Sequence, residues 1–308
     1  MPILRLNAHR HGLSLHGSPA PALPTLRRAA LGRGPVMILI HGFKYDPSDP
    51  SCSPHTTIFG ISAKIRGAWL APLGFGQNGP DEGLAIAFGW RAPGNLGRAR
   101  EAARAAGVHL ASVIRTLRAA HPARPIHVIT HSMGSEVVLE ALHALCPGDL
   151  SRVVTLSAAS YASCAAAAFQ TPAGRAAELL NITSRENDVF DFLFERLTPP
   201  PVPGDRAMGV GVDLPNGVNI QLDCPDTLRA LLRFGGHIAP PQRRLCHWSS
   251  YTRSGALRFY AHALRAPHAV PLVALRAALP AAPAARWSRM FARAPGASPL
   301  PPGQKAAT

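Results

Sequence analysis

Three apolar runs set the frame of the chain. Pro35-Val-Met-Ile-Leu-Ile stops at His41-Gly42-Phe43, Leu84–Trp90 contains Phe88-Gly-Trp90, and Ile126–Thr130 leads into His131-Ser132-Met133-Gly134. Runs of this length without alternation suit strands buried on both faces of a parallel sheet. Between them the period changes. After Pro93-Gly94-Asn95, Leu96, Ala99, Ala103, Ala106, Leu110, Ile114 and Leu117 step by threes and fours, with Arg98, Glu101, Arg104, Arg115 and Arg118 on the other face. That spacing predicts a long amphipathic helix. Met133–Leu145 predicts a second, closed by Pro147-Gly148. Arg152–Leu156 and Leu179–Thr183 read as two more short strands. Strands alternating with helices predict an α/β domain with a mostly parallel central sheet and helices on both faces.

The ends and insertions read differently. Ile3–Leu6 and Leu13–Leu15 predict a short hairpin, and Pro19–Pro24 a linker, so residues 1–34 form an N-terminal hairpin and linker before a main domain over 35–264. Residues 44–83, rich in Gly, Pro, Ser and Asp, form a lid-like excursion with one weak helical stretch near Ile58–Leu70. Residues 197–225 predict a hairpin insertion, with Val210–Leu214 and Val218–Leu222 flanking Pro215-Asn216-Gly217. Asp226–Phe234 and Ser254–Leu264 read as helices. Residues 265–308, dominated by Ala, Pro and Arg, read as a disordered basic tail.

Composition narrows the function classes. A chain of 308 residues that is 47% hydrophobic buries a core without a disulfide or metal staple. Its five cysteines are scattered and odd in number, with no CxxC pair, which disfavours a disulfide framework and a zinc ribbon. No apolar run reaches the ~18 residues of a spanning helix. The first ten residues hold no continuous apolar stretch of the secretory kind, so the expected location is cytoplasmic. The net charge of +15 is uneven: residues 227–308 hold 12 of the 32 Lys and Arg and none of the 17 acids. No nucleic-acid recognition motif accompanies it, and an arginine-, alanine- and proline-heavy chain is also what GC-rich coding produces.

The chemistry concentrates at Thr130-His131-Ser132-Met133-Gly134. A serine between a buried strand and an amphipathic helix, with glycine two residues on, matches the strand–turn–helix context of a nucleophile elbow. The tight turn demands small neighbours and lifts the serine hydroxyl above the carboxyl edge of the sheet. The simpler alternative is a serine capping the helix. An oxyanion hole needs backbone N–H groups aimed at the developing charge; Met133 and Phe43 are the candidates. For the orienting acid Asp188 is favoured, directly after the strand Leu179–Thr183, over Glu186, Asp191 and the more distant Asp223. For the base His247, in a loop before a helix, is favoured over His237, with His262 and His268 further candidates.

On His41-Gly-Phe43, Phe88-Gly-Trp90, Thr130-His-Ser-Met-Gly134, Asn187-Asp188 and His247-Trp248 with Tyr251, the chain resembles the α/β-hydrolase superfamily, in a bacterial branch with a His-Ser-Met-Gly elbow. The resemblance covers roughly residues 35–264. It departs from the pattern at Thr130, which stands where glycine or alanine is usual. It implies hydrolysis of carboxylic esters, sometimes amides or thioesters, with no cofactor or metal, and a small-molecule or lipid ester as substrate. Phe59, Ile61, Trp69, Leu70 and Phe75 then either line an acyl pocket or pack the excursion onto the core. The competing expectation is a basic peripheral protein on a hydrolase scaffold. It would bind an anionic membrane or nucleic acid through a short interfacial helix at Trp287, Met290 and Phe291 beside Arg286, Arg289 and Arg293.

Overall fold

A computed structural model describes residues 3–60, 67–77, 79, 81–92 and 94–291. Eight strands form one sheet: β1 (Ile3–His9), β2 (Gly12–Leu15), β3 (Val36–Ile40), β4 (Leu84–Trp90), β5 (Ile126–His131), β6 (Arg152–Leu156), β7 (Glu178–Thr183) and β8 (Gly217–Gln221). Their order is β2-β1-β4-β3-β5-β6-β7-β8. Only β1–β2 is antiparallel, a hairpin as expected; every other neighbouring pair is parallel. This is the mostly parallel, helix-covered α/β sheet anticipated from the sequence.

The uniform hydrophobicity of the strands follows from burial on both faces. In β3, Val36, Ile38 and Ile40 point into one apolar cluster and Met37 and Leu39 into the other. The first cluster is covered by α1 (Ala22–Ala30), α2 (Leu96–Ala120), α3 (Gly134–Leu142) and α4 (Ala162–Gln170), followed by the short α5 (Pro172–Ala176) and by α6 (Asp188–Leu197). Asn95 caps α2, its Oδ1 accepting from Arg98 N at 2.9 Å. The second cluster is closed by the excursion after β3 and by α7 (Pro225–Leu232), α8 (Ser249–Thr252), α9 (Ala256–Arg265) and α10 (Leu272–Ala278). The chain is described to the end of α11 (Ser288–Phe291). No helix among the described residues is long and apolar enough to cross a membrane.

Four expectations change. Residues 22–30 are helix α1, not linker: Pro21 is its N-cap and Pro24 falls in its first turn, where a missing N–H costs nothing. The described parts of the stretch near Ile58–Leu70 are turns. The excursion is fastened to the core, with Phe59, Trp69, Leu70 and Phe75 fully buried; Ile61 lies outside the described residues. Residues 197–225 are no hairpin: Val218 and its neighbours pair with β7 as the edge strand β8, while the first arm, Val210–Leu214, runs irregularly from a short 3-10 turn at Met208–Val210.

The fourth change concerns residues 265–291, which are folded. Val270, Leu272 and Leu275 are buried, and Arg276 donates to the carbonyls of Leu214, Pro215 and Gly217. Arg265 clamps the excursion through the carbonyls of Leu73, Gly74 and Glu82. Arg286 pairs with Glu195 through both guanidinium nitrogens at 2.9 Å. Much of the basic charge of this region therefore holds the fold together. Residues 292–308, with Arg293, lie outside the described part.

Candidate active site

The chain leaves β3 toward β4 on one side and returns to β5 on the other, so the carboxyl ends of β3 and β5 flank the point where the winding reverses. In parallel sheets that crevice is where ligands bind. Ile40 pairs with Thr130, which sets His41-Gly42-Phe43 beside His131-Ser132-Met133. Ser132 sits between β5 and α3 with φ +51°, a left-handed conformation that costs a non-glycine residue about 1–3 kcal/mol. The bend is held on both sides: Ser132 N donates to the Leu156 carbonyl at 2.9 Å and Ala159 N to the Ser132 carbonyl at 3.0 Å. Thr130 is accommodated because its Oγ1 faces Gly134, where a Cβ would lie 2.5 Å from it.

Gly42 explains why the loop after β3 lies so close to the elbow. A Cβ there would fall 2.8 Å from Ser132 Cβ and 3.0 Å from the His131 carbonyl oxygen. His41, fully buried, sets the direction of the loop. Its Nδ1 donates to the Gly42 carbonyl at 2.9 Å, and its Nε2 accepts from Trp90 N at 3.0 Å. In a trans peptide the N–H points opposite to the C=O, so turning the Gly42 carbonyl toward His41 aims the Phe43 N–H away from it. Among the described residues neither Phe43 N–H nor Met133 N–H has a protein acceptor. Burial pushes the pKa of His41 down to about 4, so the ring stays neutral and keeps one donor and one acceptor.

His247 lies against this elbow. Its ring is 4.6 Å from the His131 ring and 4.8 Å from Phe190, and His131 Nε2 donates to the His247 carbonyl at 3.2 Å. Burial, with His131 adding to it, holds the His247 imidazole well below its usual range and therefore neutral. Its Nδ1 bonds Asn187 Oδ1 at 2.7 Å. Ser132 Oγ has no hydrogen-bond partner among the described residues; His247 packs on His131, the residue before the serine, and is not bonded to Ser132. His237, by contrast, is exposed on the loop before α8.

The structure does not bring Asp188 to His247. Arg185–Asn187 form a 3-10 turn and α6 begins at Asp188, so consecutive side chains fan out by about 100°. Asn187 takes the histidine. Asp188 turns to Arg185, 3.5 Å away, and accepts from the backbone N–H of Trp287. Burial raises its pKa, opposed by Arg185, the Trp287 N–H and Arg286. Glu186 is likewise committed, in a buried pair with Arg253, and Asp223 accepts from Arg185 N at 2.9 Å. Asn187 was missed because sequence reasoning sought an ionisable acid; the Asn187-Asp188 pair itself was in view.

Tyr45, Thr57, Ile58, Arg243, Trp248 and Tyr251 line a cavity of about 560 Å³, which neither Ser132 nor His247 lines. Of the two roles open to Phe59 and Trp69, the structure gives them the packing one: both lie in the core and neither lines this cavity. Residues 29–158 match a family model described as an alpha/beta hydrolase of unknown function (DUF900). The match spans less than half of the chain and takes in β3 to β6, with the loop after β3 and the elbow. No curated protein matches the sequence.

Proposed function

We propose, on the premise that this chain has the α/β-hydrolase fold, that it is a serine hydrolase cleaving carboxylic esters through an acyl-enzyme. Ser132 Oγ attacks the acyl carbonyl while His247 Nε2 takes its proton. The carbonyl oxygen, now negative, is held by the N–H groups of Phe43 and Met133, each such donor being worth about 3–4 kcal/mol in a water-poor site. His247 then protonates the leaving alkoxide, and the same ring deprotonates the water that releases the acid.

Asn187, rather than Asp188, fills the third position in this reading. With its Oδ1 on Nδ1, the proton of neutral His247 sits on Nδ1 and the lone pair on Nε2, the tautomer a general base requires. The Ser132–His247 bond forms as substrate closes the site, since such bonds tighten in the bound complex.

The observation that carries the reading is a serine in a left-handed elbow, with two amides that have no protein acceptor among the described residues and a neutral imidazole packed on the residue before it. A fluorophosphonate probe tests it. Wild-type protein is expected to label, Ser132→Ala is not, and nitrophenyl esters of increasing chain length then define the pocket. Labelling that survives the substitution puts the nucleophile elsewhere.

A further inference from the structure

Behind the base runs a second hydrogen bond that no triad of the ordinary kind contains. Asn187 Nδ2 donates to Asp191 Oδ1 at 2.9 Å, one helical turn into α6, while Asn187 Oδ1 receives His247 Nδ1–H at 2.7 Å. Both Asn187 and Asp191 are 2% exposed. An amide has a donor end and an acceptor end, and a carboxylate only accepts. Ionised Asp191 therefore fixes which end of Asn187 faces the histidine.

We infer that Asp191 is a positioning residue for His247, acting through Asn187, so that the Asn187–Asp191 pair does what one carboxylate does in a conventional triad. The inference rests on the reading of His247 as the base. It says how that base is held and where its countercharge resides.

The surroundings suit the role. The Asp191 carboxylate packs against Gly209, where a Cβ would lie 2.5 Å from Oδ1, so the carboxylate has no space to swing. The charged groups facing it are Arg185 from the turn before α6, Asp188 on α6 itself and Arg286 from the C-terminal segment, with Asp223 behind Asp188. Burial raises its pKa to about 7; Arg185, the Asn187 amide and Arg286 oppose the rise and Asp188 adds to it. Below that pH the protonated carboxyl gains a donor, and the Asn187 amide loses its reason to face one way. Above it the amide is locked. Because His247 titrates well below its usual range, its own inflection lies at lower pH.

The test is the rate of fluorophosphonate labelling of full-length protein from pH 5 to 9, for wild type, Asp191→Asn, and the swap of Asn187→Asp with Asp191→Asn. Wild type is expected to show a rise near neutrality. In Asp191→Asn that inflection disappears and the rate at pH 8 falls about 10- to 100-fold, as when a hydrogen-bonded support behind a catalytic group is removed. The swap puts the carboxylate directly on His247 with an amide donor behind it, and is expected to recover most of the rate without the neutral inflection. An Asp191→Asn protein that labels at the wild-type rate with the wild-type pH profile overturns the inference. So does a swap no faster than the single variant. Labelling that is lost in Ser132→Ala but unchanged in His247→Ala removes the base instead, and the inference with it.

Discussion

Trp90 grips His41 twice. Its backbone N–H donates to His41 Nε2 and its indole N–H to the His41 carbonyl, both at 3.0 Å, with the two rings stacked 5.4 Å apart. The end of β4 thereby fixes the loop at the end of β3, which is why Phe88-Gly-Trp90 and His41-Gly-Phe43 belong together. Trp90→Phe keeps an aromatic ring over His41 and removes the indole bond. It is expected to lower stability in urea by roughly 1–3 kcal/mol and to slow labelling of Ser132 about tenfold as the Phe43 amide loses its aim. A wild-type labelling rate would separate Trp90 from the oxyanion loop.

Gly42→Ala introduces a methyl group 2.8 Å from Ser132 Cβ. The loop must retreat from the nucleophile, and ester turnover is expected to fall about 100-fold or more, the scale of losing one oxyanion donor. Steady-state kinetics will show the loss in kcat rather than in KM if the amide serves the transition state.

Stability should fall in acid. Burial lowers the pKa values of His41, His127 and His131 to about 4 and that of His55 to about 3. Below pH 6.5 the unfolded chain takes up protons that these rings refuse until about pH 4, so stability present above pH 6.5 is lost across that window. Each ring contributes up to about 1.4 kcal/mol per pH unit. Asp191 opposes them: with its pKa raised to about 7, its contribution is present at low pH and lost as pH rises through 7. Four groups outweigh one. Urea midpoints at pH 7, 5.5 and 4.5 will measure the slope, and His127→Leu, which removes a ring whose nitrogens both lack partners, should flatten it.

Truncation after Leu264 removes more than a tail. It takes away the buried Val270, Leu272 and Leu275, the Arg265 clamp, the Arg286–Glu195 pair and the Trp287 N–H on Asp188. A loss of at least about 3 kcal/mol is expected from the apolar burial alone, measured by chemical unfolding.

The central strands were legible because burial on both faces leaves an apolar run no alternative, and Ser132 because the elbow's strand–turn–helix context is restrictive. What the sequence concealed has particular causes. Pro24 made a helix look like a linker, although proline is at home in a first turn. Val218–Leu222 looked like half of a hairpin, because its real partner, β7, lies far upstream. Ala, Pro and Arg composition hid the three apolar residues that dock the segment after α9. Asn187 and Asp188 differ by one residue of phase in a tight turn, and only packing decides which of them meets His247.

The elbow and the histidine packed on it come from distant stretches: His131, which precedes the left-handed Ser132, and His247 are 116 residues apart in the chain. Contacts that far apart form late and make folding slow. During synthesis the elbow leaves the ribosome well before the histidine that is to activate it, and the segment that secures Asp188 follows later still. On the proposed mechanism the nascent chain carries an inert hydroxyl until the stretch that holds His247 has been made.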